Sequence, residues 1–188
     1  MIKVTIEGTN AALQHKYPVS TVKDPKPRGQ VHDFSLEWKK GTYLNEKGQV
    51  IWPWQNLMAS FFDGCKGERL GKLYLTRIVH TSLKVTDDAL VKIKGQPIGL
   101  KDIEKDEMWI YLSGAVVMGR RVDRSRTMLP KGWTAEFTVS YSEPFTADLV
   151  KRVIENAGKN AGLGDWRPSA PKKPGAYGTF KVIGFVEE

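Results

Sequence analysis

The stretch PFTADLVKRVIENAGKNAGLGDWRPSAPKKPGAYGTFKVIGFV, residues 144–186, predicts a helix, a glycine-rich loop and a closing strand. Thr146 is the expected N-cap of the helix, and Asp148 complements the dipole of its first turn. Apolar residues then recur on one side of the helix, at Leu149, Val150, Val153, Ile154 and Ala157. Gly162-Leu163-Gly164 ends the helix, and residues 179–186 have the β-branched and aromatic character of a strand. This order is typical of a helix that packs on a sheet.

Length and composition indicate one well-buried domain over residues 1–188. Hydrophobic residues make up 40% of the chain and charged residues 27%, which fits a soluble globular protein without a membrane span. The first residues alternate like a strand and contain no signal-peptide core, so we expect a cytoplasmic protein. Cys65 is the only cysteine, which excludes an internal disulfide and a cysteine zinc cluster and favours a packing role.

The remainder of the chain supplies more strands and a second helix. A strand is predicted at Ile2–Glu7, and Asn45–Gly48 is the turn of a predicted hairpin. Pro53 then starts a helix with an apolar face, whose members Trp54, Leu57, Met58, Phe61 and Phe62 are interpreted as core rather than as base-stacking residues. Further strands are predicted at Phe34–Trp38, Leu83–Val85, Ala89–Ile93, Met108–Met118 (a buried strand) and Trp133–Tyr141. Without its insertions the chain predicts an α+β fold with a ferredoxin-like, RRM-like βαββαβ core, whose two helices cover one face of the sheet.

Basic residues outnumber acidic ones by 29 to 21, and a formal net charge of +8 favours a polyanionic partner. The densest cluster is predicted to be a hairpin or loop insertion at residues 119–132 that interrupts the strand pattern and projects from the sheet. Its basic residues are Arg120, Arg121, Arg124, Arg126 and Lys131. Arginine suits bidentate phosphate contacts, so we interpret the cluster as nucleic-acid-binding, although a solvated hairpin tip explains the same pattern.

Two other basic segments are candidate contacts. The terminal loop carries Trp166, Arg167, Lys172 and Lys173, a combination of stacking and charge that single-stranded nucleic acid uses. An equally good interpretation is that Trp166 closes the helix end while Arg167 pairs with Asp165. The second segment, an aperiodic arm at residues 8–30, carries Lys23, Lys26 and Arg28. It is either a solvated loop or an arm that touches a phosphate backbone or a neighbouring subunit.

The sequence predicts no catalytic residue, metal ligand or cofactor site. His15, His32 and His80 are far apart in the chain and show no triad or zinc spacing. Neither a phosphate-binding loop nor a dinucleotide fingerprint is present. Metal-independent RNA cleavage with His15 or His32 as general base is an alternative, but an ordinary surface histidine is the favoured interpretation of each position.

Three stretches resemble the RAMP superfamily, the proteins that form the backbone subunits of CRISPR effector complexes: Gln49–Leu57, Arg124–Phe137 and Gly162–Phe180. The resemblance lies in order and spacing. Family members usually carry small and serine residues with a lysine-glycine step at the first helix, where this chain has Trp52-Pro53-Trp54-Gln55. The chain is also shorter than most backbone subunits, so a minimal or virus-encoded relative fits as well. Asp24 and Asp33 match only the position of an RNA-cleaving aspartate in some relatives, and no catalytic role is carried over.

The resemblance implies an RRM-like core that binds single-stranded RNA through basic loops and stacks beside its own copies or other effector subunits. Together with the charge pattern, it leads us to expect a non-enzymatic subunit that binds RNA or single-stranded DNA and oligomerises along the strand, with no membrane partner. A viral or assembly protein that uses the basic arm for subunit contacts is one alternative. A small metal-independent endoribonuclease is the other.

Overall fold

The structure is a computed structural model that describes residues 1–16, 36–117 and 120–187, without the side chains of 115–122. The strands in these ranges are β1 (Ile2–Gly8), β2 (Ala12–Gln14), β3 (Ile51–Trp52), β4 (Arg69–Leu70), β5 (Leu73–Tyr74), β6 (Leu83–Val85), β7 (Ala89–Ile93), β8 (Gln96–Pro97), β9 (Ile110–Val117), β10 (Arg120–Leu129), β11 (Thr134–Tyr141) and β12 (Phe180–Glu187). The helices are α1 (Glu37–Gly41), α2 (Trp54–Gly64), α3 (Val79–Ser82), α4 (Leu100–Lys105) and α5 (Ala147–Asn156), and a π-helical turn at Ala157–Ala161 extends α5. The fold is α+β and its sheets are mostly antiparallel.

The main sheet has the order β12, β1, β11, β7, β3, with β6 also on β11 and β8 on β7. β1 is an interior strand between β12 and β11, where Val4 is opposite Phe137 on one side and Phe185 on the other. Along β1 the buried residues Ile2 and Val4 alternate with an exposed Lys3. This period of two separates an apolar face from a polar one.

Helices α2 and α5 pack beside each other on the apolar face, as the sequence predicts. Phe61 of α2 reaches Phe137 of β11 at a ring-centroid distance of 5.9 Å. The opposite face carries ion pairs, such as Lys3 with Glu136 at 3.1 Å. Burying one face against two helices and hydrating the other stabilises the sheet without a second covering layer.

A second sheet with the order β2, β10, β9 contains the arginine-rich segment. The prediction that residues 119–132 interrupt the strand pattern was wrong, because Arg120–Thr127 pairs antiparallel with β9. Of the two forms predicted for this segment, the pairing agrees with a hairpin and not with a loop insertion. The prediction that residues 8–30 lack regular structure was wrong for β2, which pairs with residues Thr127–Leu129 of β10. β10 escaped detection because polar side chains with specific partners, rather than an apolar face, hold it in place. β2 has only three residues, too few to show a period, although its Ala12 and Leu13 are fully buried.

Two other strand predictions need correction. Glu37 and Trp38, predicted as strand, belong to α1, where the backbone N–H of Trp38 donates to Ser125 Oγ of β10 at 3.0 Å; residues 34–35 lie outside the described ranges. The run Met108–Met118 was predicted to be buried, yet Met108 and Leu112 are among its exposed side chains. No further layer among the described residues covers that side of the hairpin, so it faces solvent.

Several local predictions are confirmed. Asn45–Gly48 forms a turn between Leu44 and Val50. Thr146 caps α5, with its hydroxyl accepting from the backbone N–H of Leu149 at 3.3 Å. In the described part of the chain, no helix is long and apolar enough to cross a membrane.

Candidate nucleic-acid interface

Backbone hydrogen bonds close the glycine-rich loop at residues 162–178 on itself and tie it to residues 11–13. Leu163 donates to Gly178 O at 2.9 Å, Gly178 to Ala11 O at 2.7 Å and Asp165 to Leu13 O at 2.8 Å. Gly178 has a φ of 72°, and a Cβ at this position would lie 1.8 Å from the carbonyl oxygen of Leu163. The close approach of two backbone segments therefore requires glycine here.

The tip of this loop presents two lysines. The backbone N–H of Gly175 donates to Arg167 O at 3.3 Å, which closes the segment between them. Lys172 and Lys173 are exposed within that closed segment. Trp166, just before it, has a φ of 52°, a left-handed conformation that costs a non-glycine residue about 1 kcal/mol or more. The surrounding hydrogen bonds hold Trp166 in that conformation, and such strain is concentrated at functional positions.

Three half-buried aromatic rings meet beside the loop tip. Tyr111 of β9 lies 5.6 Å from the Trp166 ring and 5.9 Å from the Tyr177 ring, and Trp166 lies 6.2 Å from Tyr177. Burial, together with a hydrogen bond with Tyr111, raises the pKa of Tyr177, so this hydroxyl stays protonated at neutral pH. We call these three residues the aromatic cluster. Exposed edges and faces of such rings are stacking surfaces for nucleobases.

An arginine is fixed against the aromatic cluster. The guanidinium of Arg126 lies 4.8 Å from the centroid of the Trp166 ring, within cation–π range. Its Nε donates to Asp165 Oδ2 at 2.7 Å and its Nη1 to Ser113 Oγ at 3.0 Å. Arg126 is only 7% exposed, so its guanidinium orients Trp166 and is not offered to solvent.

Behind the aromatic cluster, a histidine lies between two carboxylates. His15 Nδ1 is 3.7 Å from Asp165 Oδ2, and His15 Nε2 is 3.5 Å from Glu37 Oε1. Glu37 also pairs with Arg124, and Asp165 with Arg126. Burial alone raises the pKa of Asp165, but the interactions with His15 and Arg126 outweigh it and lower the pKa to about 2. Asp165 is therefore ionised at neutral pH. Together the contacts of the two carboxylates join α1, the end of β2, β10 and the loop.

The arrangement around His15 does not favour a general base. Both of its ring nitrogens face a carboxylate, which leaves neither directed at a substrate. Among the described residues, no group of three or more His, Cys, Asp and Glu side chains is placed to hold a metal ion. Cys65 is fully buried, and burial with the nearby charge of Glu68 raises the pKa of its thiol to about 12, as suits a packing residue.

The predicted contact residues divide into those engaged within the protein and those open to solvent. Arg124, Arg126 and Arg167 contact carboxylates. Lys131, Lys172 and Lys173 are exposed. Lys23, Lys26 and Arg28, like His32, Asp24 and Asp33, lie outside the described residues, as do the side chains of Arg120 and Arg121. Among the predicted contact residues whose side chains the structure describes, the solvent-facing positive charge therefore comes from lysines.

Arg167 does not pair with Asp165, in contrast to one of the two predicted interpretations. Its Nε donates to Ser169 Oγ at 2.9 Å and its Nη1 to the carbonyl oxygen of Gly164 at 3.1 Å, while Nη2 is 3.7 Å from Asp63 of α2. Successive residues of the loop thus face different elements: Trp166 contacts the β9–β10 hairpin, and Arg167 contacts α2.

Sequence reasoning missed Tyr111 and the contacts of His15 with Glu37 and Asp165. Tyr111 was interpreted as one member of an apolar run. Only a clear alternation of apolar and polar residues along that run could have distinguished it. The contacts of His15 join residues from three distant parts of the chain, so no local sequence signal marks them. No protein-family model matches this chain, and no curated protein matches it.

Proposed function

We propose that this protein binds single-stranded nucleic acid, RNA or DNA, through the glycine-rich loop and the aromatic cluster. The observation that carries the proposal is the meeting of Tyr111, Trp166 and Tyr177 next to the exposed Lys172 and Lys173. Aromatic rings stack on bases of any sequence, and lysines attract the phosphates between them. Binding of this kind requires no catalytic group.

The fold proposal is a ferredoxin-like βαββαβ core resembling the RAMP superfamily. It is supported by the order β12, β1, β11, β7, with the first and third core strands inside and the second and fourth outside them. α2 lies between β1 and β7 in the chain, and α5 between β11 and β12. The polar face of the sheet carries Lys3, Thr5 and Glu136 rather than aromatic residues, so binding is assigned to the loops.

Self-association along the strand remains part of the proposal. β12 forms an edge of the main sheet, and its Ile183 and Val186 are exposed. An edge strand with exposed apolar side chains is a surface on which a neighbouring subunit can pack. Its register shift beside Thr5 and Ile6 interrupts regular pairing, which favours side-chain contact over an extended strand addition.

The test is a fluorescence-anisotropy titration with labelled U20, dT20 and a 20-base-pair duplex. We expect the single strands to bind more tightly than the duplex. The double variant K172E/K173E removes two phosphate contacts, so the slope of log Kd against log salt falls in magnitude by about 1.4, at about 0.7 per contact.

The matched control is K101E/K105E, which makes the same change of net charge at two exposed lysines of α4. This variant is expected to retain most of the affinity, because only the long-range part of the charge is altered. Equal losses of affinity in the two variants would show that the effect comes from net charge alone. Unchanged binding by K172E/K173E would remove the loop from the interface.

A further inference from the structure

A cleft that the sequence did not predict lies on the outer side of α2. Its volume is about 420 Å³, within the usual range of about 300–1,000 Å³ for small-molecule sites. Its lining includes Trp54, Met58, Phe62, His80 and Arg167. The expectation that the aromatic residues of this helix all pack in the core was wrong for Trp54, which is 45% exposed. Leu57 and Phe61, about one and two turns further along the helix, are fully buried.

The rings that line this α2 cleft are held in place. Phe62 and His80 stack with a centroid distance of 5.2 Å and an interplanar angle of 22°. The backbone N–H of Trp54 donates to Asp88 Oδ1 at 2.9 Å, which fixes the first turn of α2. An exposed indole and a stacked phenyl–imidazole pair therefore line one open space, an environment suited to a flat aromatic ligand.

The charged residues around the α2 cleft are compatible with a ligand that places a neutral ring in the cleft and an anionic phosphate outside it. Burial alone raises the pKa of Asp63, but hydrogen bonds from Lys66 and Ser169 and the charges of Lys66 and Arg167 lower it overall. Asp63 is therefore ionised, with Lys66 Nζ at 2.6 Å and Arg167 Nη2 at 3.7 Å. One carboxylate oxygen of Asp88 accepts a hydrogen bond from the backbone N–H of Trp54. The carboxylates at this site are engaged, which reduces their repulsion of a phosphate outside the cleft.

Arg167 lines the α2 cleft from the side of the glycine-rich loop. It also lines a smaller cleft of about 180 Å³ with His15, Tyr43 and Gly164. The preceding residue, Trp166, belongs to the aromatic cluster on the other side of the loop. A strand that contacts both the cluster and the α2 cleft would therefore cross the loop at residues 166–167.

We propose that the α2 cleft binds a nucleobase of the same single strand, stacked against Trp54 and the Phe62–His80 pair. This inference rests on the proposed function and adds to it a base site separate from the aromatic cluster. The ribose and phosphate remain outside the cleft, near Arg167. Recognition is by ring stacking, so the site accepts any base and does not distinguish RNA from DNA.

The experiment compares labelled dT20 with a 20-mer of abasic residues for the wild type, W54A, H80A and Y74A. Base stacking predicts that W54A weakens dT20 binding by about 5- to 100-fold, with a smaller loss for H80A. The abasic strand should bind both variants as it binds the wild type, and the salt dependence should not change. Y74A removes an exposed ring on β5 and is the matched control; circular dichroism checks that each variant is folded.

Each other outcome contradicts the inference in a distinguishable way. Wild-type binding of dT20 with no loss in W54A would overturn the base site and leave the proposed function standing. Equal losses on dT20 and the abasic strand would assign Trp54 a structural role. Equal wild-type affinity for the two strands would exclude base stacking. No wild-type binding to either strand would overturn both proposals.

Discussion

Asp165 connects three parts of the molecule through its backbone and its side chain. Its backbone N–H donates to Leu13 in β2, while its carboxylate contacts Arg126 at 2.7 Å and His15 at 3.7 Å. One of the two interpretations of the sequence paired Asp165 with Arg167, two residues away. The left-handed backbone at Trp166 separates these neighbours, and the partner of Asp165 comes instead from a strand 39 residues earlier. Pairings of this kind depend on tertiary structure and cannot be read from spacing.

The lowered pKa of Asp165 predicts a stability effect in acid. Because its pKa falls from 3.8 to about 2 on folding, its contribution is complete above pH 4 and is lost as the pH falls towards 2. With allowance for its partial exposure, we expect about 1 to 2 kcal/mol of unfolding free energy to be lost over this interval. Urea unfolding followed by circular dichroism at pH 5, 4, 3 and 2 measures it.

D165N should be less stable at pH 5 and should show a flatter dependence between pH 4 and 2 than the wild type. D87N, at an exposed aspartate, is the control and should follow the wild-type curve. Identical slopes for D165N and the wild type would mean that this carboxylate does not contribute the acid sensitivity.

At the scale of secondary structure, elements with an apolar period were predictable and those held by polar contacts were not. α2 and α5 follow from a stripe of apolar residues every three or four positions. β10 carries the sequence RRVDRSRTML, whose arginines and hydroxyl residues give no apolar face. Its order comes from partners such as Glu37, Asp165 and the β9 backbone. α1 has five residues, too few for periodicity to distinguish it from a strand.

The glycine-rich loop yields a prediction with an internal control. Gly178 and Gly48 both have a φ of 72°, but only at Gly178 would a Cβ collide with backbone; at Gly48 it would meet open space. We therefore expect G48A to cost about 1–2 kcal/mol of unfolding free energy from backbone strain alone. G178A should lower the unfolding free energy by about 1–3 kcal/mol more than G48A, because overpacking adds to the strain.

Thermal or urea unfolding of the two alanine variants provides the comparison. Besides the larger loss of stability, G178A is expected to weaken single-strand binding, whereas G48A should leave it unchanged. Equal destabilisation by the two substitutions would show that the loop relaxes around the new Cβ, and the account of a rigid loop would be wrong.

Over the whole molecule, the net charge suggests a class of partner but does not identify the contact residues. The excess of eight positive charges agrees with a polyanionic ligand. Three of the predicted arginines nevertheless hold the protein together, each against a carboxylate, and the exposed candidates in the described structure are lysines. Arginine in a basic run was given the role of phosphate contact because its carboxylate partners lie far away in the sequence.

The most direct measurement is photocrosslinking of a 4-thiouridine-substituted U20 strand to the purified protein, with the adducts mapped by peptide mass spectrometry. The account predicts adducts on the peptides that contain Tyr111, Trp166 and Tyr177, lost on competition with unlabelled U20. Adducts that are absent, or confined to peptides outside the glycine-rich loop and the β9–β10 hairpin, would contradict it.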